Sequence, residues 1–329
     1  MSVPRRRALL QATLALPMAR ALRASAQDGP YPDRPITVIS PWAAGGSSDS
    51  FLRILAQYLT GELGQSVVVE NRSGAAGTVG HAYAARAKPD GYTLLFGTNS
   101  TYAIAPFLYD NLPYDNDRAF APIMLAGTNP QVLCVSKTLP VTDFAGFLAY
   151  ARAGQDRLTF ASSGIGGTSH LATELLMSMG GFSMLHVPYR GGGPAAQALV
   201  AGEVGVDFID AITAKPLVEG GVVRAIGISS RERARLFPAV PTIAEAGLPG
   251  FESSTDFAWF APAGTPEPII RRLLAAGQKA LRDPAVRERV MAQGIEPIGS
   301  GPAEFAAYLA REKAKWGEII RSRNIRLAP

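Results

Sequence analysis

Two glycine-rich turns carry the residues best suited to chemistry in this chain: Pro41-Trp42-Ala43-Ala44-Gly45-Gly46-Ser47-Ser48-Asp49 and Ser162-Ser163-Gly164-Ile165-Gly166-Gly167-Thr168-Ser169-His170. Each follows an apolar run and opens a helical pattern. The first turn of a helix leaves backbone N–H groups unpaired and carries partial positive charge, so a carboxylate or phosphate can be held there without lysine or arginine. Glycine lets a ligand approach the backbone, and the serine and threonine hydroxyls add donors. Two such turns, far apart in the chain, predict two lobes closing on one small anion. Asp49 would repel an anion it touched, so it is expected to organise its loop rather than contact the ligand.

A third turn, Tyr189-Arg190-Gly191-Gly192-Gly193-Pro194-Ala195, also runs from strand to helix. Asp207 and Asp210 flank a strand end, where an aspartate either holds an amino group or caps the next turn. His170 on a first helical turn either faces the ligand or caps and packs. Ser169 and His170 are chain neighbours and point about 100° apart on a helix, so they form no nucleophile–base pair by themselves. No Gly-x-Ser-x-Gly elbow, His-Glu-x-x-His helix, phosphate-binding loop or dinucleotide fingerprint is present. The single cysteine, Cys134, lies in an apolar run and reads as core. No catalytic residue, metal or cofactor is expected.

The elements that must position these turns follow the pattern of βαβ units. Strands are expected at 36–40, 67–69 and 93–96, with helices after the first turn (Phe51, Leu55, Tyr58 and Leu59 at helical spacing) and over 75–87. A second series begins near Gln131, with strands at 131–135, 158–161, 184–187, 204–209 and 223–228. From Pro266 the pattern is helical almost to the end. An α/β protein with largely parallel sheets is expected. Its first lobe is discontinuous (27–130 plus 255–329), and its second spans 131–254.

The first 26 residues read as an export signal. Arg5, Arg6 and Arg7 precede an apolar stretch over 8–19, and Ala24-Ser25-Ala26 offers a cleavage site near Ala26. Arg6-Arg7-Ala8-Leu9-Leu10-Gln11 resembles a twin-arginine signal. Five of the 32 basic residues lie in this leader and none of the 27 acidic ones does, so the mature chain is formally neutral. The basic net charge therefore belongs to the leader, and nucleic-acid binding loses its support. No later stretch reaches the roughly 18 apolar residues of a membrane helix.

With these motifs in hand, the chain resembles the Bug family, the extracytoplasmic solute receptors of tripartite tricarboxylate transporters. The likeness rests on the first two turns together with Glu70-Asn71-Arg72-Ser73-Gly74-Ala75, Pro89-Asp90-Gly91-Tyr92-Thr93-Leu94, His186-Val187-Pro188-Tyr189-Arg190-Gly191-Gly192 and Phe260-Ala261-Pro262-Ala263-Gly264-Thr265-Pro266. The resemblance implies a two-lobed type II periplasmic-binding-protein fold with a carboxylate in the cleft. Carried over by motif, the ligand-binding residues are Trp42, Ala44, Gly45 and Ser47 in the first loop and Asn99 and Ser100 at a strand end. In the second lobe they are Ser162, Thr168, Ser169, His170, Tyr189 and Gly191. Asp210 joins them, although Gly205-Val206-Asp207-Phe208-Ile209-Asp210 departs from the family's usual spacing. The expected partners are a small carboxylate and the membrane components of the transporter, with the receptor a periplasmic monomer. Residues 102–109 are expected to set selectivity at the distal end of the ligand. The rival readings are a secreted hydrolase using a serine near His170, and a receptor serving a sensor kinase.

Overall fold

The computed structural model describes residues 31–154 and 157–326. The export segment expected over 1–26 lies outside the described residues. Two mixed sheets organise the chain. The first has the strand order β11-β4-β10-β3-β1-β2, formed by β1 (Ile36–Ser40), β2 (Val67–Asn71), β3 (Thr93–Thr98), β4 (Phe120–Asn129), β10 (Thr255–Pro262) and the short β11 (Glu296–Pro297). The second has the order β7-β6-β8-β5-β9, formed by β5 (Gln131–Ser136), β6 (Thr159–Ser162), β7 (Leu185–Pro188), β8 (Val206–Asp210) and β9 (Val223–Ile228).

The expectation of largely parallel sheets holds for only part of each. Strand β1 pairs in parallel with β2 and β3, and β6 with β7 and β8. Strand β10 runs antiparallel to both β3 and β4, and β5 runs antiparallel to β8 and β9. Strands β4 and β10 are absent from the sequence reading, and they are the strands through which the chain changes sheets. Strand β4 ends at Asn129 and β5 begins at Gln131, separated by Pro130, which has no N–H to continue a ladder. The return enters β10 at Thr255, directly opposite Asn129. The two crossings therefore lie side by side.

The helices are α1 (Ser47–Leu63), α2 (Thr78–Ala85), α3 (Ala105–Leu108), α4 (Phe144–Ala153), α5 (Thr168–Gly180), α6 (Gly192–Ala201), α7 (Ala211–Glu219), α8 (Glu267–Arg282), α9 (Pro284–Ala292) and α10 (Pro302–Ser322). The helix expected over 75–87 is a 3-10 turn at Ala75–Gly77 followed by α2, because Ala76 and Gly77 take positive φ and break the α pattern. Phe51 of α1 packs edge-on against Phe96 and Phe257, each with ring centroids 5.5 Å away, which fixes α1 on the first sheet. The last helix reaches beyond the first sheet. Its Trp316, Ile319 and Ile320 share one core cluster with Leu171, Leu175 and Leu176 of α5, and Arg323 Nε donates to Glu174 Oε2 at 2.6 Å. Truncating a fully buried tryptophan such as Trp316 costs about 3–5 kcal/mol, so this seam is a substantial tie between the C-terminal helix and the second sheet.

Candidate functional site

A cavity of about 700 Å³ lies where the ends of both sheets meet the starts of α1, α5, α6 and α7. The N-cap positions of these helices are Gly46, Gly167, Gly191 and Asp210, and all four line it. None of the four makes a side-chain cap. Elsewhere, Asp143 caps α4 through Gly146 N at 2.8 Å and Asp283 caps α9 through Ala285 N and Val286 N at 3.0 Å, whereas α2, α8 and α10 also lack a side-chain cap but do not start at the cavity. The helices aimed at the cavity thus keep their orphan N–H groups free for a guest. Among the described residues, no lysine, arginine or histidine lines the cavity, and Asp210 is the one charged residue that does.

The first seat is held from behind by Asp49, the role expected of it. Its Oδ2 accepts from Gly45 N at 3.0 Å and from Arg53 Nε at 2.8 Å, and its Oδ1 accepts from Asn71 Nδ2 at 2.8 Å. Asn71 also donates to Trp42 O at 3.0 Å. Burial by itself raises the Asp49 carboxyl, but the bonds from Arg53, Gly45 and Asn71 outweigh it and hold the group below its ordinary value. Gly45, at φ 88°, turns the loop in the left-handed region that favours glycine, and the space beside it is open.

The second seat is held by a stack of rings. His170 Nδ1 accepts from Gly166 N at 3.0 Å, so the imidazole proton sits on Nε2, which faces Glu174 Oε1 at 3.5 Å. The His170 ring stacks on His186 with centroids 4.0 Å apart, and His186 stacks on Phe160 at 4.7 Å. Burial, followed by the neighbouring His170, lowers the His186 pKa to about 4. Ser169 Oγ accepts from Ser163 N at 3.0 Å, pinning the other side of the turn. Gly166 sits at φ 76° against Leu108 of α3, and a Cβ there would lie 2.2 Å from Leu108 Cδ1. The second seat is therefore packed against α3 at the cavity wall. Thr168 Oγ1 adds a 2.9 Å bond to Thr255 Oγ1 on β10.

Of the residues singled out in the sequence, Trp42, Ala44, Gly45, Ser47, Ser100, Thr168, Ser169, Gly191 and Asp210 line this cavity. Four do not. Asn99 is fully buried and turned away, donating to Ser254 O at 2.8 Å and Asp256 Oδ2 at 3.1 Å, which ties the end of β3 to β10. Ser162 is fully buried with its hydroxyl 2.7 Å from His186 Nε2. His170 is spent on the Gly166 amide and the ring stack, and Tyr189 reaches Glu203 Oε2 at 3.4 Å. The Ser162–His186 pair has the contact of a nucleophile and its base, but Ser162 has no exposed surface from which to attack anything.

Within 102–109, only Ala105, Leu108 and Tyr109 reach the cavity. Tyr102 is a core residue packed on Phe260 and Phe305. Arg190 is exposed and makes no ion pair among the described residues. Cys134 is fully buried, and desolvation raises its thiol, as suits a core residue. The sequence reading missed Gln131, Phe208, Thr255, Phe257 and Gln293, which also line the cavity. A glutamine opening the otherwise apolar run of β5 is the one visible sign among them.

The tripartite tricarboxylate transporter family receptor model matches residues 51–325. The chain is 36% identical to the protein BugT of Bordetella pertussis over 298 residues, covering 90% of this chain and 91% of BugT. It is 40% identical over 322 residues to a protein encoded in the tcbD-tcbE intergenic region of Pseudomonas sp. strain P51, covering 97% and 94%. Among solved structures, a Rhodopseudomonas palustris protein with adipate superposes with a TM-score of 0.80 at 34% identity, covering 90% of this chain and all of that one. MatC of the same organism, with bound malate, superposes with a TM-score of 0.75 at 36% identity, covering 88% and 100%. No helix among the described residues is long and apolar enough to cross a membrane. The uncapped helix starts around a shared cavity and this breadth of likeness agree: the chain belongs to the tripartite tricarboxylate transporter receptor family, as a Bug-type solute-binding receptor with the two-lobed periplasmic-binding-protein fold and not an enzyme.

Proposed function

We propose that this receptor captures a small carboxylate in the periplasm and presents it to the membrane components of a tripartite tricarboxylate transporter. One observation carries the reading: four helix starts left without side-chain caps surround a cavity that no basic side chain lines. Backbone N–H groups and the hydroxyls of Ser47, Thr168 and Ser169 then supply the donors an anion needs. The related structures solved with adipate and malate support a carboxylate as the guest. The chain is divided as 27–130 plus 255–329 and 131–254, with the guest between the two parts and the mature N-terminus at or near Gln27.

A thermal-shift screen of dicarboxylates, tricarboxylates, amino acids and aromatic acids, followed by titration calorimetry of the best, tests the ligand class. At least one acid is expected to raise the melting temperature and to be recovered chemically unchanged. If none stabilises the protein, the reading fails. Uptake of the labelled acid by vesicles holding the membrane components, only when the receptor is added, tests delivery. N-terminal sequencing of the envelope protein tests cleavage before Gln27.

A further inference from the structure

Gln131 and Asp210 stand directly opposite each other across the antiparallel β5–β8 ladder, which puts their side chains on one face, and both line the cavity. The Gln131 backbone is fully engaged: its N–H donates to Ser229 Oγ at 2.9 Å and its carbonyl accepts from Ser229 N at 2.9 Å. The residue is 3% exposed, and its Oε1 is buried with no hydrogen-bond partner. The Asp210 carboxylate likewise has no hydrogen bond or ion pair among the described residues. Although it occupies the N-cap position of α7, it makes no side-chain cap. The cavity wall therefore carries two adjacent acceptors that no hydrogen bond satisfies among the described residues.

We infer that the ligand is a carboxylate that also bears an ammonium group, with the carboxylate on the uncapped helix starts and the ammonium between Gln131 Oε1 and the Asp210 carboxylate. An ammonium brings three donors and the compensating charge, whereas a methylene or a second carboxylate would leave both acceptors desolvated and unpaired. Asp207, on the opposite face of β8, is the neighbouring titratable group. Burial, with Asp210 nearby, pushes its carboxyl well up. Burial raises the Asp210 carboxyl to about 6, which leaves it ionised at pH 7.5 and ready to pair.

The inference rests on the carboxylate reading above, and calorimetry at pH 7.5 with matched probes separates the two. The pairs are aspartate and succinate, 2-aminoadipate and adipate, and 4-aminobutyrate and butyrate. In the pair that binds best, the ammonium-bearing acid is expected to bind roughly tenfold to a hundredfold more tightly than its partner, the range of a charge-assisted hydrogen bond. Asp210→Asn should shrink that ratio to about threefold or less, and Gln131→Met should reduce it partway. Equal or tighter binding of the acids without the ammonium, or a ratio that survives Asp210→Asn, overturns the inference and leaves the carboxylate reading standing. Binding of no acid in either series removes both. Should Asp210→Asn not fold, the wild-type ratio and Gln131→Met decide the matter.

Discussion

The two anion seats look alike in sequence but are held by opposite means. The turn before α1 is fastened by a buried carboxylate, with Asp49 gathering bonds from Gly45, Arg53 and Asn71. The turn before α5 is fastened by stacked rings, with His170 on His186 on Phe160 and the Gly166 amide bonded to the imidazole. One lies at an open rim where Ala43, Ala44 and Gly45 are exposed, and the other is sunk into the second sheet and touched by Leu108 from across the cavity. The same backbone device is thus built once from hydrogen bonds to a charge and once from packing. Damage to the first should fall mainly on binding, and damage to the second on folding as well.

The sharpest break of that contrast is Gly166→Val. It places a β-branched residue at φ 76° with its Cβ 2.2 Å from Leu108, so both the left-handed penalty of about 1–2 kcal/mol and a steric clash apply. Gly45→Val meets the backbone penalty alone, because the space beside it is open. Calorimetry and melting curves should show Gly166→Val losing both binding and several degrees of stability, and Gly45→Val losing binding with the smaller loss of stability. The order reversed would mean that the second seat is not the packed one.

Truncating the supports comes next. His170→Ala empties a ring site in the core and should cost about 2–5 kcal/mol of folding free energy. Asp49→Ala strands the donors of Gly45 and Asn71, which costs about 1–3 kcal/mol, and should weaken ligand binding on the order of tenfold with the smaller loss of stability. Chemical denaturation beside calorimetry for both variants separates these outcomes. Equal losses of stability would erase the distinction drawn between the seats.

Acid should reach the seats in sequence. An unfolded histidine takes its proton below about 6.5, while folded His186 holds out to about 4. The unfolded state therefore binds more protons in that window, and the stability due to the neutral ring is lost as pH falls from 6.5 to 4. Asp49 has the depressed value of a paired carboxylate, so its contribution is full at neutral pH and is lost only as pH falls through the ordinary carboxylate range and below. Buried His81, also held near 4, adds its own acid loss, so the comparison must be between the wild type and His186→Phe. The wild type should lose melting temperature more steeply than His186→Phe between pH 6.5 and 4. Parallel profiles would show that the ring stack does not suppress protonation.

The smallest effect is expected from Arg190→Gln. Arg190 is exposed, lies outside the cavity lining and pairs with no acid among the described residues. Ligand affinity should stay within about twofold, since an exposed charge contributes well under 1 kcal/mol. Abolished binding would replace the helix-start seats with a salt bridge.

Much of this protein follows from local pattern. The turns at 41–49 and 162–170, the loop-organising part played by Asp49, and the strands at 36–40 and 223–228 stand in the structure where glycine placement, capping chemistry and β-branched runs put them. Local pattern also fails where several segments must come together. Strands β4 and β10 pair antiparallel with their neighbours and so fall outside any βαβ unit, and that pairing over a long chain separation is decided by the core they bury, including Phe257 and Trp259. The three-histidine inventory reveals nothing of His170 stacking on His186, because the residues come from α5 and β7 and meet only when those pack. Asn99 and Ser162 carry the residue types of a binding site yet spend their polar atoms on Asp256, Ser254 and His186 inside the fold. Gln131 and Asp210 become adjacent acceptors only through the register of β5 on β8. Residue type and spacing determine which backbone groups a turn can offer. Which side chains reach the cavity and which are consumed in holding it depends on long-range strand register and packing, which no single segment of the chain encodes.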